Sequence, residues 1–212
     1  MKKLTIFMLS VILLVSGVQT AFSQTEDVVA NEEIASHAAQ YSVDLGHSTV
    51  GFAVKHLGVG TTRGGFTNYT GMIQFNPDDY SSFNAELIIQ ATSIDTNLEG
   101  RDNHLRSADF FDVENYPTMV FKSGRLEKRG EGTVIVGDLT MKGVTKTLTI
   151  PVTVSGPVQS PSGDTVIGIA GQTQLNRQEF NITWSKNLDN GGLVVDDMVN
   201  VIIEIEAKKI VK

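Results

Sequence analysis

The sequence predicts an all-β protein, a barrel or sandwich of about eight antiparallel strands, with one short helix near residues 97–107. Two observations predict this fold class. Apolar and polar side chains alternate along most of the chain from Tyr41 onward, and clusters of Gly, Pro, Asn and Asp separate the alternating segments. A period of two gives each strand one apolar and one solvated face, which is typical of antiparallel sheets.

The alternation is clearest in four segments, residues 50–56, 85–90, 147–154 and 199–206. Successive side chains of a strand point to opposite faces, so every second residue of such a segment points toward the predicted core. The turn-forming clusters between segments lie at residues 76–79, 128–132, 142–143, 160–164 and 189–192.

His56 ends the first of these segments on the same face as Val50, Phe52 and Val54. The alternation therefore predicts that His56 points inward, where an unpaired polar group would be costly. Two interpretations remain open for this residue. Either His56 is a core histidine bonded to the backbone, or it meets a ligand near the barrel mouth.

The predicted helix begins with a sequence typical of a capping box, in which the side chains of Thr96 and Glu99 would accept hydrogen bonds from early backbone amides. Asp102 and Arg106 are spaced for an i,i+4 ion pair on the same helix. A single short helix among about eight strands indicates a lid or plug at one mouth of the barrel.

The N-terminus has the pattern of a secretory signal peptide. Lys2 and Lys3 precede an apolar stretch over residues 4–18, and small residues at 21 and 23 predict cleavage before Gln24. The alternative is an uncleaved anchor, but the apolar stretch is shorter than the roughly 20 residues that span a bilayer. We therefore predict a periplasmic or secreted protein with no stable membrane span after cleavage.

Three regions follow from this reading: a signal peptide over residues 1–23, an acidic and mobile leader over residues 24–40, and a barrel domain over residues 41–212. Removal of the signal peptide takes away two lysines and no acids, so the net charge changes from −7 to −9. So acidic a chain argues against nucleic acid as a partner, because phosphate binding needs a basic surface.

The composition also excludes several kinds of chemistry. The chain has no Cys, which removes disulfides, thiol catalysis and Cys-based zinc sites. Its four His residues lack the spacing of metal ligands, and neither a phosphate-binding loop nor a dinucleotide fingerprint occurs. We predict no cofactor and no metal, and we expect the only Trp, Trp184, to pack in the core or anchor a loop.

The densest polar segment contains Arg101, His104 and Arg106 and is followed by Phe110 and Phe111. In a functional interpretation, the three basic side chains bind an anionic head group beside apolar space. In a structural interpretation, the arginines pair with nearby acids and the phenylalanines anchor the helix to the barrel. The residues alone leave both interpretations open.

Several ordered motifs resemble the YceI-like family, and the resemblance covers residues 41–209. It implies a lipocalin-like, extended antiparallel barrel around a long apolar cavity, in a family that includes periplasmic proteins binding polyisoprenoid lipids. The motifs are His56–Gly58, Thr92–Asn97, Arg101–Arg106 with Asp109–Phe110, Tyr116–Pro117, Phe121, Gly137–Thr140, Gly143–Lys146 and Leu175–Phe180.

The resulting functional prediction is an exported, non-enzymatic protein that holds a polyisoprenoid or isoprenoid quinone inside the barrel. The alternatives are an enzyme with His56 or His104 as general base at the helix-capped mouth, and an interaction module whose interior is filled by its own side chains. His56, Arg101, His104 and Arg106 are the head-group candidates. The predicted cavity residues are Phe52, Val54, Ile73, Phe75, Leu87, Ile89, Phe110, Phe121, Leu139, Ile150, Val152, Ile169 and Ile203.

Overall fold

The computed structural model describes residues 38–186 and 193–211, so the predicted signal peptide and residues 24–37 of the leader lie outside the described residues. The described part contains one α-helix, α1 (Glu99–Arg106), and none of its helices is long and apolar enough to cross a bilayer. The strands are β1 (Ala39–Val43), β2 (Thr49–His56), β3 (Gly60–Phe66), β4 (Tyr69–Phe75), β5 (Asn84–Gln90), β6 (Ile94–Asp95), β7 (Thr118–Arg129), β8 (Gly132–Met141), β9 (Val144–Gln159), β10 (Thr165–Asn176) and β11 (Val195–Lys209).

The eleven strands form the eight long strands of the barrel wall, here called staves, because six short strands join end to end in pairs. β1 continues into β2, β3 into β4 and β5 into β6, with a bend at each junction. Within this group, β2 pairs with β3 while β1 pairs with β4, and β3 pairs with β6 while β4 pairs with β5. Each stave is therefore antiparallel to its neighbour in sequence.

The sheet closes where β11 meets the first stave. β11 pairs with β2 through Val201 and Phe52 and with β1 through Tyr41 and Lys209, while its other edge pairs with β10. The result is a closed antiparallel barrel of eight staves with one helix. This confirms the predicted all-β class and decides between the barrel and the sandwich.

The first strand begins slightly earlier than the predicted domain boundary at residue 41. Ala39 and Gln40 already pair with Phe75 and Gln74 of β4. These two residues were assigned to the mobile leader, and the structure instead gives them regular sheet hydrogen bonding. Ladder pairing with β4 supplies order that local composition does not reveal.

The two ends of the barrel differ. The helix end carries α1, the β2–β3 turn, the β8–β9 turn and residues 177–186. The opposite end carries the β4–β5, β7–β8 and β9–β10 connections. The predicted placement of the helix at one mouth is therefore observed.

The predicted capping box is wrong. Helix α1 starts at Glu99, and its N-cap residue Leu98 makes no side-chain cap bond. The Thr96 hydroxyl and backbone N–H both donate to Asp102 Oδ1, the latter at 2.9 Å, and both side chains are buried. Thr96 directly follows β6 and lies outside the helix. The carboxylate of Asp102, in the first helical turn, therefore accepts hydrogen bonds from Thr96.

The predicted Asp102–Arg106 ion pair is also wrong, since Thr96 takes up the carboxylate of Asp102. The Arg106 guanidinium donates instead to the backbone carbonyls of Thr92 and Ile94, each at 2.8 Å. These bonds tie α1 to the short strand β6. Arg106 also donates to Asn103 Oδ1 one turn earlier, at 3.0 Å, so the helix is fixed both to the preceding segment and along its own surface.

A buried arginine fastens the helix end. Arg177, only 4% exposed, follows β10. Its donors reach the Asp197 carboxylate at 2.8 Å and four backbone carbonyls at 2.7–3.3 Å, those of Ile182, Trp184, Val195 and Asp196. One guanidinium thus joins residues 182–184 to the start of β11.

Replacing Arg177 by lysine should destabilise the fold, because an ammonium on a flexible stem cannot reach five acceptors that a planar fork satisfies together. Breaking such a buried charged network costs about 3–5 kcal/mol when a partner is lost. We expect Arg177→Lys to lower the free energy of unfolding in urea by about 2–4 kcal/mol. Arg125→Lys, at an exposed pair with Glu127, should change it by about 0.5 kcal/mol or less; equal effects would refute the assignment.

An ionic cluster holds the bend between β1 and β2 against β11. The Lys208 ammonium lies 2.7 Å from Asp44 Oδ2, His47 Nδ1 lies 3.0 Å from the same oxygen, and the Gly46 N–H donates to Asp44 Oδ1. The hydrogen bond from Lys208, followed by those from His47 and Gly46, holds the pKa of Asp44 well below its usual range.

A carboxyl whose pKa is depressed by folding stabilises the protein above its unfolded pKa, and this contribution is lost as the pH falls through the folded pKa. Acid titration of wild type should therefore show stability falling below about pH 4. Asp44→Asn should be less stable at pH 7 and have a flatter acid limb, measured by thermal melts. Asp78→Asn, at an exposed turn, should lose stability with falling pH as the wild type does. If Asp44→Asn and wild type lose stability equally between neutral and acid pH, the ionic cluster does not have this role.

Candidate functional site

The barrel encloses an apolar cavity of about 210 Å³. Its wall is built by inward-pointing residues of most staves together with the segment that follows α1. On β11, for example, Val199, Val201, Ile203 and Ile205 all line the cavity, as the period of two requires. The side chains of the described residues 38–186 and 193–211 thus do not completely fill the barrel interior.

Most of the predicted cavity residues lie on this wall, although their contact with a ligand stays a prediction. Phe75 does not line the cavity. It is 2% exposed and packs on Tyr80, with ring centroids 5.9 Å apart, because β4 ends there and the following turn covers it. The predicted residues that do line the cavity are Phe52, Val54, Ile73, Leu87, Ile89, Phe110, Phe121, Leu139, Ile150, Val152, Ile169 and Ile203.

Two glycines make room for aromatic rings of the wall. A Cβ at Gly64 would lie 2.7 Å from the Phe52 ring, and a Cβ at Gly137 would lie 2.6 Å from the Phe121 ring. Each ring therefore rests where a side chain would otherwise stand. Such close approach to a sheet is a specific use of glycine within a strand.

Few polar residues border the cavity. Among the described lining residues these are Glu86, Thr173 and Arg177. The half-exposed Glu86 carboxylate pairs with Lys122 Nζ at 2.8 Å, and the Arg177 donors are engaged as described above. Thr173 thus places a small hydroxyl-bearing side chain on an otherwise apolar wall.

Arg177 was not predicted as a site residue, although it lies in the Leu175–Phe180 motif that carries the family resemblance. Its sequence neighbours are polar and follow a strand, a context typical of an exposed turn. Burial is decided by residues 182–184 and 195–197, which only the tertiary structure brings around the guanidinium.

His56 does not line the cavity, and its contact with a ligand stays a prediction. Its side chain is exposed at the end of β2. The pairing with β11 shifts between Val195 and Val199, so that His56 stands opposite Val195 while Val54 stands opposite Val199. The pairing of β2 with β3 stays regular through His56 and Gly60, so His56 keeps its place in the alternation but lies at the exposed end of the strand, outside the cavity wall.

The two predicted head-group arginines are occupied elsewhere. Arg101 donates to the Thr96 hydroxyl at 2.7 Å and to the Thr96 carbonyl at 2.8 Å. Arg106 holds the carbonyls of Thr92 and Ile94, and neither guanidinium lines the cavity. Both arginines thus have structural partners, which are mainly backbone oxygens rather than the acids that the sequence indicated, and head-group binding by either stays a prediction.

His104 belongs to an aromatic cap at the helix end, formed by His104, Phe110 and Trp184. The His104 ring meets both other rings edge-on at centroid distances of 5.0 Å, and Phe110 and Trp184 lie 5.3 Å apart. His104 Nε2 lies 2.9 Å from Asp109 Oδ2. Phe110 is the one member that lines the cavity, and Trp184 anchors its segment as expected.

The wall can bind an apolar chain but offers little to a charged group. Each methylene removed from water contributes roughly 0.8 kcal/mol, so a hydrocarbon tail gains affinity without polar partners. The basic groups predicted to hold a head group lie outside the cavity. The geometry is that of a binding site for an apolar molecule.

A family model of the YceI-like domain matches residues 41–207. Among curated proteins, a UPF0312 protein of Vibrio cholerae is 36% identical over 151 residues, covering 70% of this chain and 80% of that protein. A UPF0312 protein of Yersinia enterocolitica is 34% identical over 148 residues, covering 69% and 77%.

Solved structures show the same fold. BcnA of Burkholderia cenocepacia superposes with a TM-score of 0.68 at 26% identity, covering 77% of this chain and 98% of that one. The Campylobacter jejuni YCEI protein gives 0.63 at 29% identity, with 74% and 90% covered. A polyisoprenoid binding domain from Saccharophagus degradans gives 0.60 at 16% identity, with 80% and 98% covered, a likeness in fold alone. By the match over residues 41–207 and these relatives, the chain belongs to the YceI-like family.

Proposed function

We propose that this protein is an exported binding protein that holds a long apolar lipid, a polyisoprenoid or isoprenoid quinone, inside the barrel. The apolar cavity is the observation on which this proposal rests, because its almost entirely apolar wall is suited to a hydrocarbon chain. Membership of the YceI-like family supports it. So does the shared fold with a domain described as polyisoprenoid binding.

The energetics favour recognition of the tail. About ten buried methylenes supply roughly 8 kcal/mol, which is near the free energy of a micromolar complex before entropy and ordering costs are subtracted. Longer or branched chains supply more. Affinity therefore depends on how much of the tail the wall covers, and selectivity on the shape of the cavity.

The cavity of about 210 Å³ is smaller than the roughly 300–1,000 Å³ of common ligand pockets. A polyprenyl chain therefore requires wall side chains to move aside. Met119 and Met141 both line the cavity, and methionine adapts to irregular shapes more readily than branched residues do. These two residues are the adjustable part of the wall.

The geometry gives catalysis less support than binding. His104 and Asp109 form a hydrogen-bonded pair, but neither lines the cavity, and His56 is exposed at the end of β2. A general base must reach the proton that it removes from a bound substrate. The His104–Asp109 pair instead supports the aromatic cap, and a barrel filled entirely by its own side chains is inconsistent with the cavity.

Native mass spectrometry of protein purified from its own host tests the proposal directly. We expect a bound species that dissociates on activation with the mass of an isoprenoid lipid. Protein stripped of lipid should take up added polyprenol or quinone with about one equivalent per chain. The proposal fails if no lipid copurifies and added isoprenoids do not bind.

Filling the cavity should reduce uptake. Val201 lines the cavity and is the neighbour of Phe52 in the ladder between β11 and β2. Val201→Phe therefore places a ring in the space proposed for the ligand. We expect at least about tenfold weaker binding, with a modest stability change because the ring enters existing space. Val158→Phe, at a 58% exposed position of β9, is the matched control. Wild-type uptake by a folded Val201→Phe variant would argue against binding inside the barrel.

A further inference from the structure

The turn between β2 and β3 projects apolar side chains into solvent at the helix end. We name residues 55–63 the rim hairpin. Val59 is 85% exposed and Leu57 is 41% exposed at its tip. Exposure of two neighbouring apolar residues on one tight turn marks a candidate contact surface.

The backbone of the rim hairpin is well fixed. The Val59 N–H donates to the His56 carbonyl at 3.2 Å, and the Leu57 N–H donates to the Val194 carbonyl at 3.0 Å. Leu57 has a φ of 55°, a left-handed conformation that Asn or Gly adopts far more readily than Leu. Local backbone preference thus gives no reason for an exposed leucine at this position.

The charge of this region differs from that of the rest of the chain. Residues 45–77 contain no Asp or Glu, although the whole chain has a net charge of −7. The exposed Lys55 and Arg63 flank the apolar tip on the two strands. On the neighbouring β11, the carboxylate of Asp197 is paired with Arg177, and Asp196 Oδ1 accepts a hydrogen bond from the Met198 N–H. The rim hairpin is therefore a locally basic surface with an apolar tip.

The rim hairpin is continuous with the cavity wall. Val54, immediately before Lys55, lines the cavity, and so does Val195, which pairs with His56. The exposed Leu98, which precedes α1, lies at the same end of the barrel. A partner bound to the rim hairpin would therefore lie at the helix end of the barrel, where the cavity-lining strand β2 ends.

We infer that the rim hairpin docks the helix end of the barrel onto a lipid bilayer that contains anionic phospholipid. Leu57 and Val59 enter the interfacial layer, while Lys55 and Arg63 contact the phosphate groups. Interfacial binding needs only a few apolar side chains together with basic ones. A stable protein partner would need about 800 Å² from this surface, more than two exposed side chains and their flanks supply.

The inference builds on the proposed lipid-binding function, because a protein that carries a membrane lipid must exchange it with a membrane. Docking through the rim hairpin would bring the end of the barrel to the bilayer from which the tail is taken. It does not require any particular isoprenoid. Membrane docking and lipid uptake can therefore be measured separately.

Vesicle co-sedimentation tests the inference with the wild-type chain. Vesicles of phosphatidylcholine with 30 mol % phosphatidylglycerol, free of isoprenoids, should bind the protein more tightly than vesicles of phosphatidylcholine alone. Added salt should weaken the binding, as it screens charges at a surface. Lys55→Glu and Val59→Asp should each reduce the partition coefficient about fivefold or more.

Val158→Asp is the matched control, because Val158 is an exposed valine at the opposite end of the barrel. It should bind vesicles like wild type. The inference is overturned if wild type ignores anionic vesicles, or if Val158→Asp and Val59→Asp lose binding equally. It is also overturned if Val59→Asp abolishes a concentration-dependent dimer instead, since the surface would then bind a second copy of this chain.

A separate uptake assay distinguishes this inference from the proposed function. Vesicle binding that depends on Val59, in a protein that takes up no isoprenoid, would support docking and refute the lipid-carrier proposal. Uptake of isoprenoid by a protein that ignores anionic vesicles would refute docking alone.

Discussion

The cavity depends on the pairing of β11 with the first stave of the barrel. β11 hydrogen-bonds to β2 along its first part and to β1 along its last part, so the sheet has no gap at this seam. An open sheet would expose the edge hydrogen-bonding groups and the apolar face to water. With the seam closed, inward residues of different strands, such as Val201 of β11 and Leu87 of β5, line one enclosed space.

Closure also creates the need for buried charge at the helix end. There the chain leaves β10, makes a 3₁₀ turn over Arg177–Phe180 and returns to β11, so several carbonyls lie away from any ladder. Buried carbonyls need donors, and the guanidinium of Arg177 supplies them to four residues at once. Arg106 does the same for β6. Arg106 and Arg177 therefore hold the backbone around the wall in place.

The division of roles gives a consistent account of binding. Under the proposed function, the wall selects an apolar tail by shape. The aromatic cap of His104, Phe110 and Trp184 packs at the helix end, and the rim hairpin lies at the same end. The polar groups sit on the scaffold and the outer surface. A ligand held in this way is recognised mainly by the length and branching of its chain.

The sequence by itself determined the strand class, the approximate helix position and most of the wall, because side-chain direction in a strand follows from a local period of two. It failed at the ends of strands. His56 lies at the exposed end of β2, outside the wall, and Phe75 lies at the end of β4, where the following turn covers it. Only the tertiary structure decided the partners of Thr96, Asp102 and Arg177, since hydrogen bonds between distant segments depend on how the barrel closes, and no local pattern encodes that geometry.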